Sequence, residues 1–158
     1  MKNAQLKNVK TFLGMEGHGF NASFYLDGKK LALIIDSAQG GCLDYHFEGK
    51  TFEQRETNEK LFNAYIDSLP PEAMPTDCEE WEKSLYTNGF RKLDADTVIC
   101  KMIDDIESDK WLARQKKTKV LFSLPNEPKG NYRTVKHNGN VQRAVDYVMN
   151  KYPNAIIA

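Results

Sequence analysis

Hydrophobic alternation and helical periodicity divide the chain into a strand-rich opening, a helical middle and a mixed tail. Residues 8–37 read as a β-meander. In "NVKTFLGME" Val9, Leu13 and Met15 fall in phase, with Phe12 opposite. "FNASFYL" is rich in aromatics, and "LALIID" is apolar from Leu31 to Ile35, the pattern of a strand covered on both faces. Asp27-Gly28 between these runs predicts a type I′ hairpin turn, whose two central residues both need positive φ. Gly17 and Gly19 are expected to serve the preceding turn in the same way. After a Gly40-Gly41 bend, "CLDYHF" reads as a fourth strand.

Residues 53–69 predict a helix, with Leu61, Phe62, Tyr65, Ile66 and Leu69 on one face and Pro70-Pro71 as its stop. After a loop, Asp77 is expected to cap a short helix through "CEEWEKSLYTN", closed by Gly89. A third helix opens near Asp94–Asp96. Val98, Ile99, Met102, Ile103 and Ile106 form its stripe, and Trp111-Leu112 extend it. The tail reads as strand "KVLFSL", strand "YRTVK", an Asn138-Gly139 bend, a helix and a final strand "AIIA". Val141, Val145, Val148 and Met149 are the expected buried face of that last helix. The order lacks βαβ alternation. It predicts an α+β fold with a mostly antiparallel sheet: an N-terminal β-meander, three central helices and a C-terminal β-β-α-β. With 158 residues, a single domain over 1–158 is the expectation.

No segment approaches the roughly 20 apolar residues of a membrane span, and "MKNAQLKNVK" has no signal-peptide core. Cys42, Cys78 and Cys100 are an odd number at wide spacing, which argues for a reduced compartment and against a zinc or disulfide framework. The cytoplasm is the expected location, with no membrane partner.

Charge changes the picture more. The net charge is zero, but residues 1–50 carry 6 basic and 5 acidic side chains, residues 51–109 carry 6 and 15, and residues 110–158 carry 10 and 2. Segregation of this kind implies either two halves that attract each other, within a monomer or across a homo-oligomer, or two fields for different partners.

The segment from Leu6 to Phe47 contains Lys7–Lys10, Phe12 and Gly14, then Asp27-Gly28-Lys29, then Asp36, Gly40, Gly41 and Tyr45. In this pattern, about a quarter of the chain resembles small accessory proteins of tailed bacteriophages. The resemblance brings no active site. It implies a protein working in the cytoplasm of a host cell, in a class whose members often bind and disable a host enzyme or defence component.

The candidate chemistry is sparse, and a binding protein is favoured over an enzyme. Cys42, Asp44 and His46 share one face if their strand is regular, the makings of an activated thiol for a small hydrolase. No motif supplies an oxyanion hole, so no catalytic residue is assigned. His18, His46 and His137 lack metal-ligand spacing, and the run Asp104, Asp105, Glu107, Asp109, the alternative basis for a Mg²⁺-dependent nuclease, reads as a solvated helix face. No metal or cofactor is expected. The acidic residues Glu53, Glu56, Glu79, Glu80 and Glu82, with Trp81 among them, suit a host protein with a basic groove. The alternative is nucleotide or nucleic-acid binding. Gly40 and Gly41 would approach a phosphate, and Lys110, Arg114, Lys116, Lys117, Lys119 and Arg133, joined by Lys129, Lys136 and Arg143, would attract it beside Trp111.

Overall fold

Four strands, β1 (Ala4–Gly14), β2 (Gly17–Leu26), β3 (Lys29–Asp36) and β4 (Asp44–Phe47), pair antiparallel in the order β1-β2-β3-β4. The computed structural model describes residues 3–76, 78–128 and 130–158, so Asp77 and Lys129 lie outside it. The architecture is α+β, as the element order predicts. It divides into two units, Met1–Ile103 and Asp104–Ala158.

In the first unit, Asp27 and Gly28 have φ of 49° and 83°, the paired positive values of the expected turn. The register Phe24↔Ala32↔Phe47 and Ala22↔Ile34↔Tyr45 puts these six side chains on one face of the sheet. Helix α1 (Phe52–Asp67) covers that face. It starts where the Thr51 side chain accepts the Gln54 N–H at 3.3 Å. Phe62, only 2% exposed, meets the rings of Phe24, Tyr45 and Phe47 at 4.9, 5.4 and 5.8 Å. Asn58 also lies on the buried stripe and is fully used: it accepts from Lys29 Nζ at 2.7 Å and donates to the Glu48 carbonyl at 2.6 Å. Leu61 stands at the edge of the stripe, exposed. On β3, Leu31, Ala32 and Ile34 are buried while Leu33 and Ile35 are half-buried, so the second face is less covered than their run of apolar residues predicts.

Strands β5 (Glu72–Ala73) and β6 (Phe90–Arg91) pair around helix α2 (Glu80–Lys83). This small lobe corrects the expectation of a helix running to Gly89. Asn88 and Gly89 have φ of 52° and 79°. Thr87 and Phe90 exchange backbone hydrogen bonds of 2.8 and 3.0 Å. Asn88-Gly89 is thus a hairpin turn, and a helix cannot pass through two successive left-handed residues. The helix starts after Glu79, whose N–H is accepted by the Glu82 carboxylate at 3.0 Å. The expected cap, Asp77, falls outside the described residues. Ion pairs fasten the lobe. Glu72 meets Lys101 and Arg91, the latter at 3.6 Å, and Lys92 meets Asp67 at 2.7 Å.

Helix α3 (Ala95–Lys116) opens where Asp94 Oδ1 accepts the Thr97 N–H at 2.7 Å. It buries Val98, Ile99 and Ile103 in the first unit and contributes its residues from Asp104 onward to the second. There, β7 (Lys119–Ser123) is the middle strand of an antiparallel sheet, with β8 (Arg133–Lys136) on one side and β9 (Ile156–Ile157) on the other. Helix α4 (Val141–Lys151) packs on β7 and β8, its Asn140 cap accepting the Arg143 N–H at 3.0 Å. Its buried side chains are Ala144 and Val148, whereas Val141 and Met149 are exposed. Val148 is thus buried as the spacing predicts and Val145 is half-buried, while small Ala144, one turn before Val148, takes the place expected for Val141 and Met149 against the strands. Among the described residues no helix is long and apolar enough to cross a membrane.

Candidate functional site

The Gly40-Gly41 stretch is a corner between β3 and β4. Asp36 Oδ1 accepts the Ala38 N–H at 2.8 Å, which turns the chain as it leaves the strand. Gly40 and Gly41 then take φ of 77° and 104°. A Cβ on Gly40 would sit 2.5 Å from the Glu16 Oε2 atom. A carboxylate therefore stands over the position where a phosphate was expected. The loop returns to β4 through Asp96, whose carboxylate accepts the Leu43 N–H at 3.1 Å and the Tyr45 hydroxyl at 2.7 Å. Burial first, then the bond to Asp96, pushes the Tyr45 pKa far above its ordinary value.

On β4 the side chains alternate. Asp44 and His46 point outward, and Tyr45 and Phe47 face α1. Asp44 and His46 thus share a face as alternation predicts. Cys42 precedes the strand in the exposed corner, outside the ladder that would keep it in phase. No hydrogen bond joins the three. Among the described residues no cluster of His, Cys, Asp and Glu is arranged to hold a metal ion.

The acidic candidates divide. Glu53 lies in the first turn of α1, its carboxyl held below the usual range by its own backbone N–H and the Thr51 hydroxyl. Glu56 pairs with Lys60 at 2.7 Å on the same helix. Glu79, Glu80 and Glu82 gather on the lobe around Trp81. Glu80 holds Lys83 at 2.6 Å and Glu82 closes the cap. Trp81 itself is 69% exposed and does not pack its short helix onto the sheet. Met74, Leu85 and Phe90 of the same lobe are exposed as well. Sequence reasoning missed these three. The signal was Asn88-Gly89: read as a hairpin rather than a helix end, it turns the apolar residues around it outward.

The basic candidates do not form one surface. Arg133 is held by Glu127 at 2.7 Å and lies over the Tyr152 ring. Lys119 donates to Gln115 at 2.7 Å, Lys110 pairs with Glu107 at 2.8 Å, and Arg114 bonds the Lys110 carbonyl. Lys116 and Lys117 project from the exposed end of α3. Trp111 lines a cleft with Asp104, Glu107 and Ser108; Ser108 and Glu107 lie three and four residues before it on one face of the helix, and Glu107 there carries the Lys110 ammonium. A different basic cleft, of about 600 Å³, is lined by Lys136, His137, Asn138, Arg143 and Tyr147. The Gly139 N–H donates to His137 Nδ1 at 3.1 Å, and His137 Nε2 is buried without a partner.

No protein-family model, no curated protein and no solved structure matches this chain.

Proposed function

We propose that this chain is a non-enzymatic binding protein that docks on a basic surface of another protein through Trp81 and the carboxylates beside it. The observation that carries the reading is the 69% exposure of Trp81 amid Glu79, Glu80 and Glu82. A buried tryptophan removes about 150–250 Å² from water, and a tryptophan left in solvent on a folded lobe forgoes that gain until a partner covers it. Exposed Met74, Leu85 and Phe90 on the same lobe supply further apolar area. The acidic residues favour a basic partner and speed its approach. The N-terminal resemblance to phage accessory proteins supplies the class of partner, a host-cell protein that the complex inhibits.

The test is retrieval from bacterial lysate by immobilised wild-type chain, Trp81→Ala, and a Glu79→Lys/Glu80→Lys double variant. The reading expects one protein held in stoichiometric amount by wild type, and lost with either variant and at raised salt. Capture that both variants retain, or no capture by wild type, rejects it.

A second reading, sequestration of a nucleotide or other phosphate compound, draws on the cleft bordered by Lys136 and Arg143, two cations that form no ion pair among the described residues. A ligand at 100 times its Kd adds roughly 2.7 kcal/mol of stability. A thermal-shift series with nucleotides should therefore raise the Tm of wild type and not that of Lys136→Glu/Arg143→Glu. Equal shifts in both proteins reject the reading.

A further inference from the structure

Trp111 and Tyr132 stand together in the second unit, ring centroids 6.4 Å apart and planes tilted by 33°. They form one aromatic wall of a cleft of about 430 Å³, within the size range of small-ligand sites. Asp104, Glu107 and Ser108 line the same cleft, because residues three, four and seven apart stack on one face of α3. Glu107 already holds Lys110 at 2.8 Å. Asp104 is exposed and its carboxylate forms no hydrogen bond or ion pair among the described residues. Gly130 closes one side with open space where a side chain would stand.

An aromatic wall beside an open carboxylate selects its occupant by sign and shape. Aromatic faces carry negative potential and attract cations, so they do not distinguish against a positive ligand. The carboxylates repel phosphate, and a nucleotide gains nothing from Asp104. An ammonium is a compact, strongly hydrated charge. A guanidinium is planar, more weakly hydrated, stacks on aromatic rings and presents a fork of donors to a carboxylate. We infer that the Trp111–Tyr132 cleft receives a guanidinium group, stacked on the rings and hydrogen-bonded to Asp104. The inference uses none of the residues of the Trp81 lobe and stands without that reading.

The experiment uses the full chain carrying Trp81→Phe, which leaves Trp111 as the sole tryptophan of two and removes the proposed docking residue of the lobe. Indole fluorescence is titrated with N-acetyl-arginine amide, with N-acetyl-citrulline amide of the same shape but no charge, with AMP, and with a glycine-flanked arginine peptide. A saturable change with the arginine amide is expected. Citrulline should bind at least tenfold more weakly, and Asp104→Asn should weaken the arginine amide by about tenfold, the loss of one charge-assisted contact. Tyr132→Ala should weaken it as well, and circular dichroism of each variant checks its fold. A peptide bound much more tightly than the amide identifies a polypeptide as the source of the arginine, and equal affinity identifies a free guanidine. Either result supports the site. No saturable response to arginine, an equal response to citrulline, an unchanged affinity in folded Asp104→Asn, or saturation by AMP alone overturns it.

Discussion

The Tyr45 hydroxyl donates a 2.7 Å hydrogen bond to the Asp96 carboxylate across 51 residues of sequence. It ties the edge strand of the first sheet to the opening turn of α3, and the Leu43 N–H reaches the other oxygen of the same carboxylate. Tyr45→Phe removes the donor and keeps the ring against Phe62. A hydrogen bond to a charged acceptor contributes about 1.5–3 kcal/mol, and the variant should lose that much in urea unfolding near neutral pH. Burial and Asp96 raise the Tyr45 pKa in the folded chain. Its contribution is therefore complete below the unfolded value of about 10 and declines as pH climbs past it. Wild-type stability should fall above about pH 10, and Tyr45→Phe should fall less steeply. Tyr65, raised by burial as well, keeps some slope in the variant.

Gly14 marks where the β3–β4 corner rests on the first hairpin. A Cβ there would lie 2.4 Å from the Ala38 Cβ, and the Glu16 N–H donates to the Ala38 carbonyl at 3.0 Å. Gly14→Ala should destabilise by about 1–3 kcal/mol, the cost of overpacking a close contact. Ala38 has φ of 53°, so Ala38→Gly removes both the clashing carbon and a left-handed alanine. Combined with Gly14→Ala it should recover part of the loss. A double-mutant cycle by chemical denaturation reads the coupling.

Asp94 caps α3, with the Thr97 backbone N–H and hydroxyl holding its carboxyl below the usual range. A lowered folded pKa means a contribution present above the unfolded value and lost as pH falls through the folded one. Asp94→Ala should cost about 0.5–2 kcal/mol near neutral pH. The gap to wild type should narrow below about pH 4, as measured by denaturation over an acid series.

Trp81 and Phe62 should behave oppositely in a stability measurement. Phe62, ringed by Phe24, Tyr45 and Phe47, should lose about 3–5 kcal/mol as Phe62→Ala. Trp81→Ala, in a folded lobe but open to solvent, should stay within about 0.5 kcal/mol of wild type. A Trp81→Ala loss as large as that of Phe62→Ala would mean that the tryptophan holds the lobe together rather than serving a partner.

Much of the fold was legible in near-neighbour chemistry. Asp27-Gly28 and Asn138-Gly139 adopt the positive φ pairs their turns require, and the apolar spacing of residues 61–66 and 98–106 marks two helices. Thr51 and Asp94 cap those helices within three residues of the donors they satisfy. The same chemistry misled at Asn88-Gly89, because a glycine after a helix-like run serves a helix end or a hairpin equally well. Only the pairing of β5 with β6 selects the hairpin. The charge count was a sequence fact too, but its local use was not. Five of the six cations between residues 51 and 109 meet carboxylates of that segment, and Lys110, next to Trp111, is held by Glu107.

By itself, then, the sequence determined the order of strands and helices, the turns and the unequal charge of the thirds, since each depends on contacts within a few residues. Tertiary structure alone decided that Tyr45 reaches Asp96, that Glu16 stands over Gly40, that Trp81 is left in solvent and that Trp111 meets Tyr132. Those relationships join residues distant along the chain, and they exist only once the packing of several elements fixes where each side chain ends.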